Sequence, residues 1–488
     1  MGWKETAAPV LTRMPGVRRP EGHVPFKRKL TWTVGVLILY FFLTNVSLFG
    51  VGQGTSPFGN FSALLAAQQG SLLQLGIGPI VTASIVLQLL NGADLLGLDT
   101  QQPRDQMIYQ GLQKALVLVM VCLTGLPMVF LGDFLPADPG LAADLGIGTV
   151  GVNLLIFAQV AAGGVLVLYM DEVISKWGVG SGIGLFIVAG VSQSLLIGLL
   201  YWGGSSGQAG FIPTWIDYII GGTELPPLLS SAWIETIVFD STAGLLLLAT
   251  TLLIFVVVVY AESVRIEVPL SHSRMSGGGG SYPLKLIYAS VLPMILVRAL
   301  QANVQMVGRL LNSEWAAMPP WVGVYSDGQP VGGLFYYLAP IHSPNDWMWW
   351  IGTTTQETWQ ILLRVGTDLT IMVIGGAIFA IFWVETADMG PDAKAREIVE
   401  GSPMQIDGHR QNLRSVEKYM ERYIPKVTVL GGALVGLLAV MANMMGTIGQ
   451  VSGTGLLLAI SITYKLYEEI AEEQLREMYP MMRNMFGG

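Results

Sequence analysis

Ten stretches of this chain are apolar for about the length of a membrane crossing, and no other feature limits the fold as strongly. A bilayer core of ~30 Å needs about twenty helical residues. The stretches lie at 30–50, 75–92, 107–131, 150–171, 181–202, 243–264, 285–307, 366–386, 426–446 and 453–470. The second and tenth are the weakest; the second is short and opens on the helix-breaking GIGPIV, Gly76 to Val81. The runs are unbroken and do not alternate, which excludes a transmembrane β-barrel. Only 12% of residues are charged and 52% are hydrophobic, whereas soluble domains carry about 25% charged residues. Disorder is excluded as well, because it needs low hydrophobicity and high net charge. The expected fold is an all-α polytopic membrane protein with ten transmembrane helices.

Basic residues orient the spans. Cytoplasmic loops collect Lys and Arg, and the first 29 residues hold Lys4, Arg13, Arg18, Arg19, Lys27, Arg28 and Lys29. With that end inside, ten spans return the C-terminus to the cytoplasm. The outer segments are then 51–74, 132–149, 203–242, 308–365 and 447–452. Of the 26 Lys and Arg residues, these segments hold only Arg309 and Arg364, and Arg298 falls within a span. The other 23 lie on or beside the cytoplasmic side. A wrong span count would mix the two sets, so the separation supports ten spans with both ends inside. The start of the chain is polar and basic, and the apolar run after it is too long for a cleavable signal peptide. The net charge of −8 suggests soluble loops adapted to high salt, where acidic surfaces stay solvated.

Chemistry-bearing motifs are scarce. The single Cys122 allows no disulfide within the chain, and the four His (His23, His272, His342, His409) have no metal-ligand spacing. There is no phosphate loop, HExxH, CxxC or GxSxG. The run GVGSGIG at 178–184 follows a helix, where a dinucleotide turn must follow a strand. No enzyme, cofactor or metal is expected. A secondary transporter of small solutes is the rival reading, since transporters also contain broken helices. It needs ionisable groups at mid-membrane. Asp171, Glu172, Glu262, Asp368 and Glu385 are expected at span ends, and Arg298 is expected to have no carboxylate opposite it.

Residues 51–92 are unusual for a membrane protein. QGTSPFGNFS is polar and helix-breaking; SALLAAQQGSLLQLG is amphipathic and too short to span; GIGPIVTASIVLQLL then enters the membrane abruptly. Irregular backbone at membrane depth is tolerated only where protein buries it or water lines it. The segment is therefore either a re-entrant element lining a cavity or an outer loop with an amphipathic turn. Two cytoplasmic loops also stand out. One is 265–285, with the glycine run 277–280; the other is 387–425, with Lys394, Arg396, Arg410, Arg414, Lys418 and Arg422. They are topology determinants, or they dock something large and anionic.

The strings KLTWTVGVLILYFF, LGIGPIVTASIVLQLL, DEVISKWGVGSGIGLFIVAGVSQS, YAESVRIEVPLSH, YPLKLIYASVLPMIL, IFWVETA and GTGLLLAISITYKLYEE resemble the SecY family. This is the α subunit of the Sec protein-conducting channel, and the likeness is to its archaeal, haloarchaeal form. The resemblance implies two pseudosymmetric halves, 30–202 and 243–470, joined by an external hinge loop at 203–242 and flanked by cytoplasmic segments 1–29 and 471–488. It implies a pore sealed by an apolar ring and a plug helix, and a lateral gate between spans 2–3 and 7–8. Secreted chains would pass the ring, and transmembrane segments would leave sideways into lipid.

By the same resemblance, the ring comprises Ile77 and Val81 in GIGPIV, Ile183 and Ile187 in GSGIGLFI, Ile295 in LPMIL and Leu458 in GTGLLL. Ile77/Val81 and Ile183/Ile187 are i,i+4 pairs on one helix face, and an apolar constriction excludes ions by dewetting. The plug is 59–69: Gly59, Asn60, Phe61, Ser62, Ala63, Leu64, Leu65, Ala66, Ala67, Gln68 and Gln69. Ribosome docking is assigned to Arg274 and Arg410, with Arg414 and Lys418 as weaker candidates; Arg suits phosphate contact. The implied partners are the SecE (γ) subunit and a small β subunit in a heterotrimer. The ribosome, signal-bearing nascent chains, the signal recognition particle receptor and the lipid bilayer complete the set. The implied location is the cell membrane. Two positions depart from the family. Val291 stands where members often carry Asn two residues before the span-7 proline, leaving Gln88 of span 2 without that partner. Arg298 stands where members carry a small apolar residue.

Overall fold

The computed structural model describes the chain except for residues 1–7, 10, 12, 23, 53–65, 68–69, 93–94, 99–101, 132–133, 204–208, 222–226, 228–230, 241–242, 270–280, 288–291, 315–317, 327–328, 352–355, 388, 402–412 and 479–488. Among the described residues, ten helices are fifteen residues or longer. They are α1 (Phe26–Thr44), α2 (Gly78–Gly92), α3 (Pro103–Phe130), α4 (Gly148–Trp177), α5 (Gly182–Leu200), α6 (Leu245–Ser263), α7 (Leu292–Glu314), α8 (Thr358–Thr386), α9 (Leu413–Met445) and α10 (Gly453–Met478). Each coincides with one expected span. Six of them meet a strict test of length and apolarity for crossing a membrane; the shorter α2 and the more polar or amphipathic α1, α7 and α10 do not.

Local chemistry fixes several helix starts. α3 opens on Pro103, whose missing N–H costs nothing in a first turn. The short outer helix Pro139–Leu145 is capped by Asp138, whose carboxylate accepts from the Gly140 N–H at 2.9 Å. α2 is preceded by Gly76 at φ 53°, which lets the chain turn sharply before Pro79.

One apolar core contains residues from all ten helices: Tyr40, Val81, Val121, Val160, Ile187, Val258, Ile295, Met372, Val435 and Leu458 are all buried in it. Lipid tails are as apolar as Leu, so close packing rather than the hydrophobic effect holds such helices together. Glycines permit that closeness. A Cβ on Gly376 of α8 would lie 2.6 Å from the Gly432 carbonyl of α9, and one on Gly436 would run into the Met372 carbonyl. The outward faces are bare apolar surface, as at Ile38 and Phe42 of α1 and Leu252, Leu253 and Val256 of α6.

Several expected boundaries move. Residues 203–242 are more than a linking loop, because they hold the helices Phe211–Ile220 and Ser231–Val238. The loop 265–285 contains an antiparallel hairpin, β1 (Arg265–Pro269) with β2 (Ser281–Lys285), in register Arg265 opposite Lys285. Its Leu284 packs in a second, smaller core with Ala380, Val384, Met420 and Ile424. The segment 387–425 is largely helical: Pro391–Gly401 is a helix, and α9 begins at Leu413. α8 begins at Thr358 rather than 366, and α10 continues into the expected tail as far as Met478. α7 runs on to Glu314. A small hairpin follows, β3 (Val324–Ser326) with β4 (Gln329–Gly332), and packs over the end of α7.

Candidate functional site

The six expected ring residues come from α2 and the turn before it, α5, α7 and α10, and all belong to the one apolar core. Ile77 and Val81 are 0% and 3% exposed, Ile187 0%, Ile295 2% and Leu458 0%. Ile183, one turn before Ile187, is half-buried and packs against the same core. All six are aliphatic side chains of this one buried core. Water held there would have few polar partners, so an ion would meet a dry barrier.

The segment leading into α2 is stitched at its base. The Leu48 N–H donates to Gly70 O at 2.8 Å, and the Leu72 N–H donates to Val46 O at 2.9 Å. Gly163 of α4 lies directly on the Leu72 carbonyl, where no larger residue fits. The chain at 46–48 is therefore tied to the chain at 70–72. Of the eleven expected plug residues, Gly59, Asn60, Phe61, Ser62, Ala63, Leu64, Leu65, Gln68 and Gln69 lie outside the described residues. Ala66 and Ala67 are buried in the core that holds the ring residues, and the Tyr40 hydroxyl of α1 donates to Ala66 O at 3.3 Å. Ala66 has φ 51°, so the backbone is not helical at that position.

Val291 lies outside the described residues, and Gln88 is buried on α2. The structure supplies a polar link between α2 and α7 at another place, which sequence reasoning missed. The Asn303 side-chain amide of α7 donates to the Thr82 hydroxyl of α2 at 3.0 Å. Thr82 adjoins the expected ring residue Val81. A single Thr and a single Asn on separate helices give no sequence signal until the helices are paired.

Arg298 corrects the reading of the charges. It is 1% exposed, and its Nη1 lies 3.2 Å from Asp368 Oδ1 of α8. Asp368 is itself 1% exposed. Because α8 starts at Thr358, this carboxylate lies in the third turn of its helix and not at a span end. An intramembrane carboxylate opposite Arg298 therefore exists, contrary to expectation. It forms a fixed internal pair: Asp368 also accepts from the Gln301 side chain at 3.2 Å and from the Ile341 backbone N–H at 3.4 Å. Beside it, in the outer segment, His342 is buried. Burial holds its imidazole down at about 4, with Asp346 acting the other way and Arg298 acting with the burial.

The segments expected to face the cytoplasm are only partly described. Arg274 and Arg410 lie outside the described residues; Arg414 and Lys418 are exposed on the first turns of α9, on a helix and not in a loop. Nearby, Glu172 of α4 joins Lys114 of α3 at 2.7 Å and Lys176 at 2.5 Å. Lys176 and Lys114 also donate to the carbonyls of Val17 and Pro15, which straps the N-terminal segment across these helix ends. Among the described residues no cluster of His, Cys, Asp and Glu could hold a metal ion.

Residues 71–467 match the family described as SecY, and residues 38–70 match the plug domain of Sec61p. The chain is 69% identical to the protein translocase subunit SecY of Halobacterium salinarum, over the full length of both chains. A solved structure of a protein-conducting channel matches with a TM-score of 0.76 and 34% identity, over 97% of this chain and 98% of that one. Sec61 in the canine ribosome–channel complex from the endoplasmic reticulum matches with a TM-score of 0.75 and 34% identity, again over 97% and 98%.

Proposed function

The chain belongs to the SecY family, and from that premise we propose which residues form its pore, gate and plug. It is a multi-pass membrane protein and the channel subunit of a protein translocase. Ile77, Val81, Ile183, Ile187, Ile295 and Leu458 form the constriction through which a polypeptide passes. One observation carries this reading: six aliphatic residues from distant parts of the sequence belong to one apolar core, five of them at most 3% exposed. Aliphatic side chains yield around a moving chain without binding it, and they close again to a dry barrier. The loop tied at Leu48 and Leu72 is the plug, spanning 59–69. The seam between α2 and α7 is the lateral gate, latched by Asn303 and Thr82, and Gln88 and Val291 are assigned to the same gate.

The remaining assignments follow from the same premise. The chain works with a SecE (γ) subunit and a small β subunit in a heterotrimer, in the cell membrane, with both ends cytoplasmic; the one-sided distribution of 23 basic residues supports this orientation. Arg274 and Arg410 contact ribosomal RNA, assisted by Arg414 and Lys418, as the canine relative's complex with a ribosome suggests. The chain itself is a passive conduit, and a ribosome or another partner drives transport.

The test is site-specific crosslinking to an arrested nascent chain from positions 77, 81, 183, 187, 295 and 458, with lipid-facing Ile38 and Leu253 as controls. The six positions are expected to capture the chain and the controls not. Equal capture from the controls would refute the constriction.

A further inference from the structure

The buried charges of the C-terminal half form a connected structure that the translocation reading does not use. Arg298 of α7 is its centre. Its Nη1 donates to Gln301 Oε1 at 2.7 Å and to Asp368 Oδ1 of α8 at 3.2 Å, and its Nε donates to the Thr454 hydroxyl of α10 at 3.1 Å. The Thr454 hydroxyl and backbone N–H both donate to Asn443 Oδ1 of α9, at 3.2 and 2.8 Å. One network therefore ties four helices together.

Its position matters more than its strength. Arg298 lies three residues after Ile295 on α7, and Thr454 lies four residues before Leu458 on α10. Three and four residues are one helical turn, so each network residue sits on the same face as a constriction residue and one turn away. The Arg298–Thr454 bond thus joins the two helices next to the two side chains that must meet.

Stability does not explain the network. A buried ion pair is often no better than apolar residues of the same volume, because desolvation offsets the attraction. Here Arg298 Nη2 and Asn443 Nδ2 are buried with no hydrogen-bond partner among the described residues, which adds to the cost. What a directional network supplies, and apolar packing does not, is one fixed register between helices.

We propose that Arg298 and Asp368 are positioning residues that lock α7, α8 and α10 into one rigid unit, so that Ile295 and Leu458 are held in the closed constriction and the C-terminal half moves as a body. This rests on the assignment of those two residues to the constriction.

The experiment uses the full chain with its partner subunits, in planar bilayers and in an export assay. In R298M/D368L the pair is replaced by apolar residues of similar size. The variant is expected to assemble in wild-type amounts, yet the closed channel conducts ions roughly tenfold more, a shift within the range for coupled buried pairs. It also exports reporters with weaker signal sequences. Thr454→Val keeps the ion pair and the side-chain shape but releases α10. A smaller rise of about threefold is expected, the scale of one hydrogen bond between membrane helices. Ile295→Asn is the reference for the constriction itself. If Ile295→Asn leaks while both network variants stay as tight as wild type, the positioning role is wrong. If Ile295→Asn stays tight, the constriction assignment fails, and the network is judged by export alone. Relaxed signal requirements then support it, and wild-type requirements overturn it. If R298M/D368L does not assemble, Thr454→Val decides on the same two readouts.

Discussion

Replacing Thr82 by Val tests the proposed gate at the hydrogen bond that joins α2 to α7. Val keeps the shape of Thr but removes the hydroxyl that accepts from Asn303 Nδ2 at 3.0 Å. The same hydroxyl also donates to Gly78 O at 2.9 Å. That bond lies within α2 and is present whether the gate is open or closed, so its loss cancels. What remains is one hydrogen bond between helices, worth ~0.6 kcal/mol on average and up to ~1.7 in membrane proteins. At tenfold per ~1.4 kcal/mol, the open-to-closed ratio should rise roughly threefold, and by about sixteenfold at most. The assay is export of a reporter carrying signal sequences of graded hydrophobicity. Thr82→Val should export weaker signals than wild type, and Asn303→Leu should do the same. Because each removes the same bond, the double variant should be little different from either single one. Unchanged signal requirements, or effects that add fully in the double variant, would show that this bond does not hold the gate.

Ile183→Asn with Ile187→Asn should wet the constriction, so that closed-channel conductance in planar bilayers rises well above wild type; unchanged conductance in folded protein places the pair off the pore. Arg274→Glu and Arg410→Glu should each weaken cosedimentation with ribosomes, and the double change more so. At multimolar salt the Debye length is below ~3 Å, so any loss measured there reports direct contact. His342 titrates near 4 in the folded protein, below its ordinary value of 6.5. The unfolded chain therefore takes up that proton first, and stability should fall as pH drops from about 6.5 towards 4. Thermal unfolding at pH 7 and pH 5 measures the fall, and His342→Gln should reduce it. Val291→Asn should favour the closed gate and raise the signal hydrophobicity required; better export of weak signals would refute a gate role there.

The ten spans were legible because a long apolar run has few alternatives to a membrane helix. Their ends were less legible, for reasons that the structure makes physical. Arg364 looks like a loop residue, yet it lies on the second turn of α8. Its Nε and Nη2 donate to the carbonyls of Ala339 and Pro340 at 3.0 and 2.7 Å, and its guanidinium lies 4.9 Å from the Tyr336 ring centroid. The outer segment folds back to satisfy this charge, so α8 extends past it, and Asp368 shifts from the expected edge of the helix to its interior. The charged first turns of α9 misled in the same way. They are exposed at Arg414 and Lys418 but bury Met420 and Ile424 beneath the β1–β2 hairpin. In both places a long-range contact, polar at Arg364 and apolar at Met420 and Ile424, holds in a helix a charged stretch that local composition would leave in a loop. The proposed constriction residues rest on family resemblance, since an Ile or Leu in an apolar run carries no mark of facing a pore. The Asn303–Thr82 bond and the Arg298 network needed the fold itself.

The distribution of these bonds argues which seam opens. Between α2 and α7, the side-chain hydrogen bond among the described residues is the single neutral one from Asn303 to Thr82. Between α7, α8, α9 and α10 stand an ion pair and its attendant hydrogen bonds, and α8 lies on α9 through close glycine contacts. Lateral opening at α2/α7 gives up one weak bond and leaves apolar faces that lipid or a signal helix can cover. Opening between α7 and α8 would separate two buried charges, and breaking such a pair is typically destabilising by about 3–5 kcal/mol. These polar contacts make α2/α7 the weakest of the seams compared, as the proposed gate requires, and opening there would leave the C-terminal half whole.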